Sequence, residues 1–426
     1  MGIGELARPP EGVREVERIE VDLLIPGIGE PIRDGVVLMD GPRISYAGPS
    51  ADAPPAAPTT TTRAPTALPG LWDCHAHLMG VRSADLSRLP LEPIPLQAAR
   101  CVTDLRAALD AGVTSVREVG GLGVQLARAV EEGSVAGPAI YGAGAILSVT
   151  GGHGDIHAMP LPWMTDVSRW AGVLRLCDGV DDCMRAVREQ LRRNAKVIKI
   201  CASGGVLSEV DDPIHQQFTA TELRAIVEVA GMADRVVAAH CHGKPGIMAA
   251  LEAGVRTIEH GTYLDEEACD AMRETGAILV ATRTVLREAV EISDMPAFAA
   301  RKMAATVDVH AKAVAMAYER GVTFASGTDI FLSGSHLPSS WGRNGRELPL
   351  LVEAGLTPLE AIRAATANGP LTLGPQGPPS GQLVEGYDAD VIVVDGDPLA
   401  DISILADPSR VVGVWKAGRR VKGSSS

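Results

Sequence analysis

From about residue 67 to residue 375 the chain alternates between short apolar runs rich in β-branched residues and helical segments of 10–15 residues. The runs are TALPGLWDCHAH (66–77), GVTSVREVG (112–120), PAIYGAGA (138–145), AKVIKICASGG (195–205), DRVVAAHCHG (234–243), VRTIEHG (255–261), GAILVATR (276–283) and GVTFASGTD (321–329). A strand followed by a helix and another strand makes a crossover, and crossovers make parallel sheets. Eight such units predict a (β/α)8 TIM barrel. The helices carry their own punctuation. LQAARCVTDLRAALDAG has apolar residues at helical spacing and ends on Gly112. TATELRAIVEVAG takes Thr219 or Thr221 as N-cap and closes on Gly231. TPLEAIRAATANGP (357–370) sets Pro358 in the first helical position and ends at Gly369-Pro370.

The flanks differ. ERIEVDLLIPG (17–27), PIRDGVVLMDG (31–41) and PRISYAG (42–48) read as strands broken by turns. So do GQLVEGYDADVIVVDGDP (381–398) and SRVVGVWKAGRRVKG (409–423). The division expected is a barrel over 67–375 with a small β-sandwich beside it, half from 1–66 and half from 376–426. The Ala-, Pro- and Thr-rich stretch ADAPPAAPTTTTRAPTALPG (51–70) is not helical and reads as a loop into the barrel. Length alone, at about 150 residues per domain, suggests roughly three units; the barrel reading replaces them with two.

Charge and composition remove several classes of function. Thirty-nine Lys and Arg against 53 Asp and Glu leave a net charge of −14, the wrong sign for nucleic acid or an anionic membrane. Five Trp, five Tyr and four Phe are too few for base-stacking platforms. The seven cysteines (74, 101, 177, 183, 201, 241, 269) contain no C-x-x-C pair, so neither a disulfide framework nor a zinc knuckle is indicated. A reducing cytoplasm fits. The first residues lack a basic region leading into an apolar stretch, Leu6 stands where myristoylation requires Ser or Thr, and no run of 18 apolar residues occurs. A small-molecule substrate is expected, and a homo-oligomer is compatible with everything here.

Barrel enzymes carry their chemistry at the C-terminal ends of the strands. The first run ends in His75-Ala76-His77, and residues i and i+2 of a strand share a face. The fourth carries Lys199 among Val197, Ile198 and Ile200, the fifth ends in His240-Cys241-His242, the sixth in His260 and the eighth in Asp329. Five of the ten histidines thus gather at three strand ends. One strand-end histidine is more often a hydrogen-bonded structural residue, Asp329 alone is a helix cap, and a buried lysine is costly. Together they point to a metal centre, because imidazole and carboxylate suit zinc and similar divalent ions.

These motifs, in this order, resemble the amidohydrolase superfamily of metal-dependent hydrolases. The resemblance runs through PGLWDCHAHL (69–78), IKICASGG (198–205), VAAHCHG (237–243), TIEHG (257–261), SGTD (326–329) and the C-terminal GQLVEGYDADVIVVDGDP. It is greatest to the branch with Xaa-Pro dipeptidases, ochratoxinase-type amidases and imidazolonepropionase-like proteins. It implies two divalent cations, zinc by preference. His75, His77 and Asp329 would hold one, His240 and His260 the other, and a carboxylated Lys199 would bridge them. It further implies that hydroxide bridging the metals attacks an amide carbonyl, His242 stabilises the oxyanion, and Asp329 relays the proton to the leaving amine.

The substrate expected is a dipeptide of Xaa-Pro type, an N-acyl amino acid or an ochratoxin-like amide. The loop 147–170 contributes His153, between glycines, as a substrate contact; Arg283 stands where a cation would hold a substrate carboxylate; His336, Trp341, Arg343 and Arg346 in 330–346 are pocket candidates. His215 and His310 read as solvated or capping residues. The alternatives are a hydrolase of cyclic amides, ureas or carbamates, a mononuclear deaminase of the same superfamily, and a non-catalytic scaffold. The lysine in the fourth run disfavours the deaminase, and the complete set of ligand positions disfavours the scaffold.

Overall fold

Seven strands from both ends of the chain make one mixed sheet. The first four are β1 (Val16–Leu24), β2 (Ile32–Asp40), β3 (Arg43–Pro49) and β4 (Pro58–Pro69). The computed structural model describes residues 16–56, 58–170, 172–334 and 337–423. β4 corrects the loop reading of 51–70: it lies inside the sheet, parallel to β1 and antiparallel to a C-terminal strand, Val391–Val394. Four consecutive β-branched threonines suit a strand, and Pro58 and Pro69 fall at its ends, where a missing N–H costs least.

The barrel strands follow: β5 (Leu71–Val81), β6 (Val113–Glu118), β7 (Ala139–Gly142), β8 (Ile146–Ser148), β9 (Leu174–Leu176), β10 (Ile198–Cys201), β11 (Val237–Cys241), β12 (Thr257–His260), β13 (Ile278–Val280), β14 (Thr323–Phe324) and β15 (Ile330–Leu332). Every ladder among them is parallel: β15-β5-β6-β7 on one arc, β8-β10-β11-β12-β13-β14 on the other, with β9 beside β8. The third and eighth runs are each split in two, β7/β8 and β14/β15. Across the second break Cys74 N–H donates to Ser326 O (2.8 Å) and Asp329 N–H to His75 O (2.6 Å), which carries the wall round. Helices cover the outside, so the strands are apolar on both faces, as a parallel sheet requires. Finally β16 (Val391–Val394), β17 (Val411–Lys416) and β18 (Arg419–Lys422) complete the side sheet in the order β18-β17-β16-β4-β1-β2-β3. One apolar cluster joins Leu68, Ile392, Val411 and Val414 of that sheet to Leu105, Ala108 and Val113 of the barrel.

Of the two candidate caps, Thr219 is the one used: it forms a capping box with Glu222. The helix after Thr357 stops at Ala364, short of the predicted Gly369. The carbonyls of Ala364 and Ala365 are taken by Ser326 N–H (2.9 Å) and Trp72 N–H (2.7 Å), so no further helical turn can use them. All seven cysteines are buried and unpaired. No described helix is long and apolar enough to cross a membrane.

Candidate metal centre

The polar strand ends converge at one mouth of the barrel. Pleating puts Asp73, His75 and His77 on the same face of β5; Lys199 projects from β10, His240 from β11, His260 closes β12, and Asp329 sits immediately before β15. Two of these bends are strained. His260 has φ 71° and Asp329 φ 58°, and Thr282, which bonds His260, has φ 53°. Non-glycine residues avoid that region unless the surroundings hold them there, and such strain concentrates at functional sites.

Hydrogen bonds fix which nitrogen of each ring faces inward. His77 Nδ1 donates to Gly120 O (2.8 Å), so its Nε2 faces Asp329 Oδ1 at 3.1 Å. His75 Nδ1 donates to Glu259 Oε2 (2.7 Å); its Nε2 lies 3.4 Å from Asp329 Oδ1 and 3.4 Å from Lys199 Nζ. His240 Nε2 donates to Gly204 O (3.2 Å), which leaves its Nδ1 lone pair 2.8 Å from His260 Nε2. His260 Nδ1 pairs with Thr282 Oγ1 (2.7 Å) and His242 Nδ1 with Thr262 Oγ1 (2.6 Å). Burial holds the His75 ring down at about 4 and His240, His242 and His260 well below the ordinary imidazole range, so these rings are neutral.

Ring nitrogens and a carboxylate oxygen thus crowd within 3.4 Å of one another, a gathering of donor atoms that a cation would hold together. The donor atoms form two overlapping sets, His75-His260-Asp329 and His240-His242-His260, each within 4.8 Å, with His260 common to both. These residues fit divalent cations with nitrogen and oxygen preference. Burial works to raise the Asp329 carboxyl, but the facing His75 and His77 rings and Lys199 hold it below its usual value. Lys199 is 2% exposed, and burial pushes its amine pKa down.

The amidohydrolase family model matches residues 66–421. The chain belongs to the amidohydrolase family. It is 43% identical to ochratoxinase from Aspergillus niger over 427 aligned positions, 96% of this chain and 87% of that protein. The crystal structure of that ochratoxinase superposes with a TM-score of 0.91 at 42% identity, covering 96% of each chain. A prolidase complexed with N-methylphosphonate-L-proline gives 0.87 at 33% identity, and a Xaa-Pro dipeptidase with bound methionine 0.84 at 30%; each match covers 96% of this chain and 100% of the other. As an amidohydrolase this protein is a hydrolase acting on carbon–nitrogen bonds.

Behind the ligands of this amidohydrolase stands a layer that sequence reading missed. Glu259 and Arg117 are fully buried and paired (2.7 Å); Arg117 also donates to Cys74 O (2.6 Å) and Thr257 Oγ1 (2.9 Å). Burial acts to raise the Glu259 carboxyl, but Arg117 and His75 more than offset it and hold it far below the carboxylate range. It stays an anion and orients the His75 ring, as carboxylates behind metal-bound histidines do. Asp73 accepts from His75 N–H, Thr328 N–H and Oγ1, and Asn344 Nδ2, fixing the turn that carries Asp329. The available signal was a charge within a short strand-like run: Arg117 in VTSVRE, Glu259 in TIEH.

Glu118, at the end of β6, accepts the Leu78 N–H (3.4 Å) beneath the Gly120 turn that holds His77. Burial pushes its carboxyl up to about 8. A carboxyl whose folded pKa is raised contributes stability that is lost as pH rises through that folded value. Glu118→Gln, which cannot ionise, is therefore expected to gain melting temperature relative to wild type as pH rises from about 4.5 to about 8, with the gain levelling off above that; parallel curves across that window would refute it.

A cavity of about 90 Å³ lies over the centre, lined by His75, His77, His153, Lys199, His240, His242, His260 and Asp329, with Met79, Ile146, Val206, Val285, Met303 and Phe331 as an apolar wall. His153 enters as expected: its ring stacks on His240 with centroids 4.2 Å apart, and its Nδ1 pairs with Ser208 Oγ (2.8 Å). Gly205 lies under that ring, where a Cβ would meet His153 Nδ1 at 2.1 Å. Arg283 does not line the cavity. The strand ends at Val280, Arg283 opens the helix Arg283–Glu288, and its charge is balanced by Glu347 and Glu353. His336 falls outside the described residues. Arg346 and Arg343 pair with Glu288 (2.7 and 3.5 Å), and Trp341 is buried, its Nε1 donating to His77 O (3.3 Å). His310 is buried, not solvated: its Nε2 donates to His260 O (2.9 Å). His215 is exposed.

Proposed function

We propose that this amidohydrolase binds two zinc ions through His75, His77, Asp329, His240, His260 and a carboxylated Lys199, and hydrolyses an amide bond in an N-acyl amino acid, a dipeptide of Xaa-Pro type or an ochratoxin-like amide. The observation that carries the two-metal part is the pair of overlapping ligand sets sharing His260, with the Lys199 amine 3.4 Å from His75 Nε2. A buried amine of lowered pKa is a nucleophile toward carbon dioxide, and carboxylation turns a costly buried cation into an oxygen-donor anion. Divalent cations bound there would polarise the carbonyl and supply hydroxide near neutral pH.

The remaining roles fall to side chains. Asp329, held ionised by His75 and His77, takes the proton of the attacking water and delivers it to the amine nitrogen as the C–N bond breaks. When Thr262 donates to His242 Nδ1, the imidazole proton sits on Nε2, where it bonds the carbonyl oxygen as charge develops. The apolar wall keeps bulk water from that charge. Likeness to ochratoxinase and to Xaa-Pro dipeptidase supports the amide class. A second reading, a neutral amide, urea or carbamate, is favoured by the absence of any guanidinium from the cavity lining among the described residues.

The test is metal analysis with a substrate panel: N-acyl amino acids, Xaa-Pro dipeptides, aryl amides, ureas and carbamates, followed by amine release. The reading expects about two zinc per chain, activity lost to a chelator and restored by zinc, and best turnover on N-acyl amino acids. Activity in metal-free protein would overturn the metal centre; turnover of ureas and carbamates alone would overturn the substrate class.

A further inference from the structure

A second cavity, of about 280 Å³, opens beyond the first. The two share Leu86, His153 and Leu207 in their walls, so they adjoin. The inner chamber, about 90 Å³, has room for little beyond the reacting amide and one flanking group. The rest of a substrate has to pass the Leu86–Leu207 neck.

The outer chamber differs in chemistry from the inner one. Leu174, Pro296 and Phe298 give it an apolar side, and Asp85, Asp155 and Glu209 its charge; no Lys or Arg lines it among the described residues. His157 stands in its wall, held by the Val210 N–H, which donates to its Nδ1 (3.2 Å).

We propose that the outer chamber is the subsite for the substrate arm remote from the scissile amide, and that it selects uncharged or cationic arms and rejects carboxylates. This deepens the amide-hydrolase reading and rests on it. Three carboxylates with no cation among them repel an anionic arm, and the protein's net charge of −14 adds to the same field.

Two substrate series test it on the zinc-loaded enzyme, one with the arm on the acyl side of N-acyl-phenylalanine, the other on the amine side of benzamides. Each compares a methyl group with chains of equal length ending in methyl, amide, ammonium or carboxylate. In the series whose arm enters the chamber, kcat/KM should be higher for the methyl, amide and ammonium ends than for the carboxylate end. The carboxylate end should fall about five-fold or more below them, the effect of one water-screened charge contact. Glu209→Gln should narrow that gap. Ala158→Trp, which fills the chamber, should lower the long-to-short kcat/KM ratio about ten-fold, and turnover of the short substrate reports that the variant is folded. Turnover without length or charge discrimination in either series would overturn the subsite and leave the amide reading standing. No turnover of any member would overturn that reading first.

Discussion

Lys199→Ala is expected to lower kcat/KM by at least about 10³-fold, because it removes the ligand proposed to join the two cation sites, and each electrostatic stabiliser of the transition state is typically worth ~10²–10³. Bound zinc should fall below two per chain in the same protein. The side chain sits on β10 with the His75 Nε2 as its hydrogen-bond partner, 2% exposed and pushed by burial toward the neutral amine. Two further variants separate its possible roles. Lys199→Arg keeps a cation that neither deprotonates nor takes up carbon dioxide, and should be as inactive as the alanine variant. Lys199→Glu restores an anionic oxygen donor and should recover part of the metal content. Full activity with full metal in Lys199→Ala would remove the bridging role entirely.

Asp329→Asn is expected to cost about 10²–10⁴ in kcat, the range of general acid–base contributions, with most of the metal retained, because the amide oxygen still ligates. The dependence on leaving group tells proton transfer from ligation. An alkylamine must be protonated to depart, whereas a nitroaniline leaves with little help. The loss should therefore be large for alkylamides and much smaller for nitroanilides. A uniform loss would assign Asp329 to metal binding alone. Its strained φ of 58° and its N–H bond to His75 O place the carboxylate within 3.4 Å of both β5 histidines, so the same atom is available to the metal and to the proton.

Much of the centre was legible because parallel barrels write their sites in a fixed place. His75 and His77 end the first run, Lys199 lies in the fourth, His240, His242 and His260 close the fifth and sixth, and Asp329 closes the eighth; the fold brings all of them to one cavity. Arg117, Glu259 and Asp73 were not legible in this way. Arg117 of β6 pairs with Glu259 of β12, which also holds His75 of β5, while Asp73 holds Thr328 and Asn344, and nothing local in VTSVRE or TIEH states which strand lies opposite. Arg283 went the other way. Read as the end of a strand it pointed into the site, but the strand stops three residues earlier and Arg283 begins a helix whose first amides are taken by Glu347. The threonine stretch before the barrel was misread for a related reason: its local text is that of a loop, and only pairing with β1 and β16 makes it a strand.

Periodicity and the residues at run ends were enough, without coordinates, to give a parallel barrel, a β flank at each end and a histidine-rich site that could hold metal, since these depend on strand and helix periods and on which face a side chain takes. The tertiary structure alone decided ring orientation, the buried Arg117–Glu259 pair, and the placing of a histidine-lined inner cavity beside an acidic outer one. Those depend on contacts between residues distant in sequence, where hydrogen bonds and burial, not local pattern, set the chemistry.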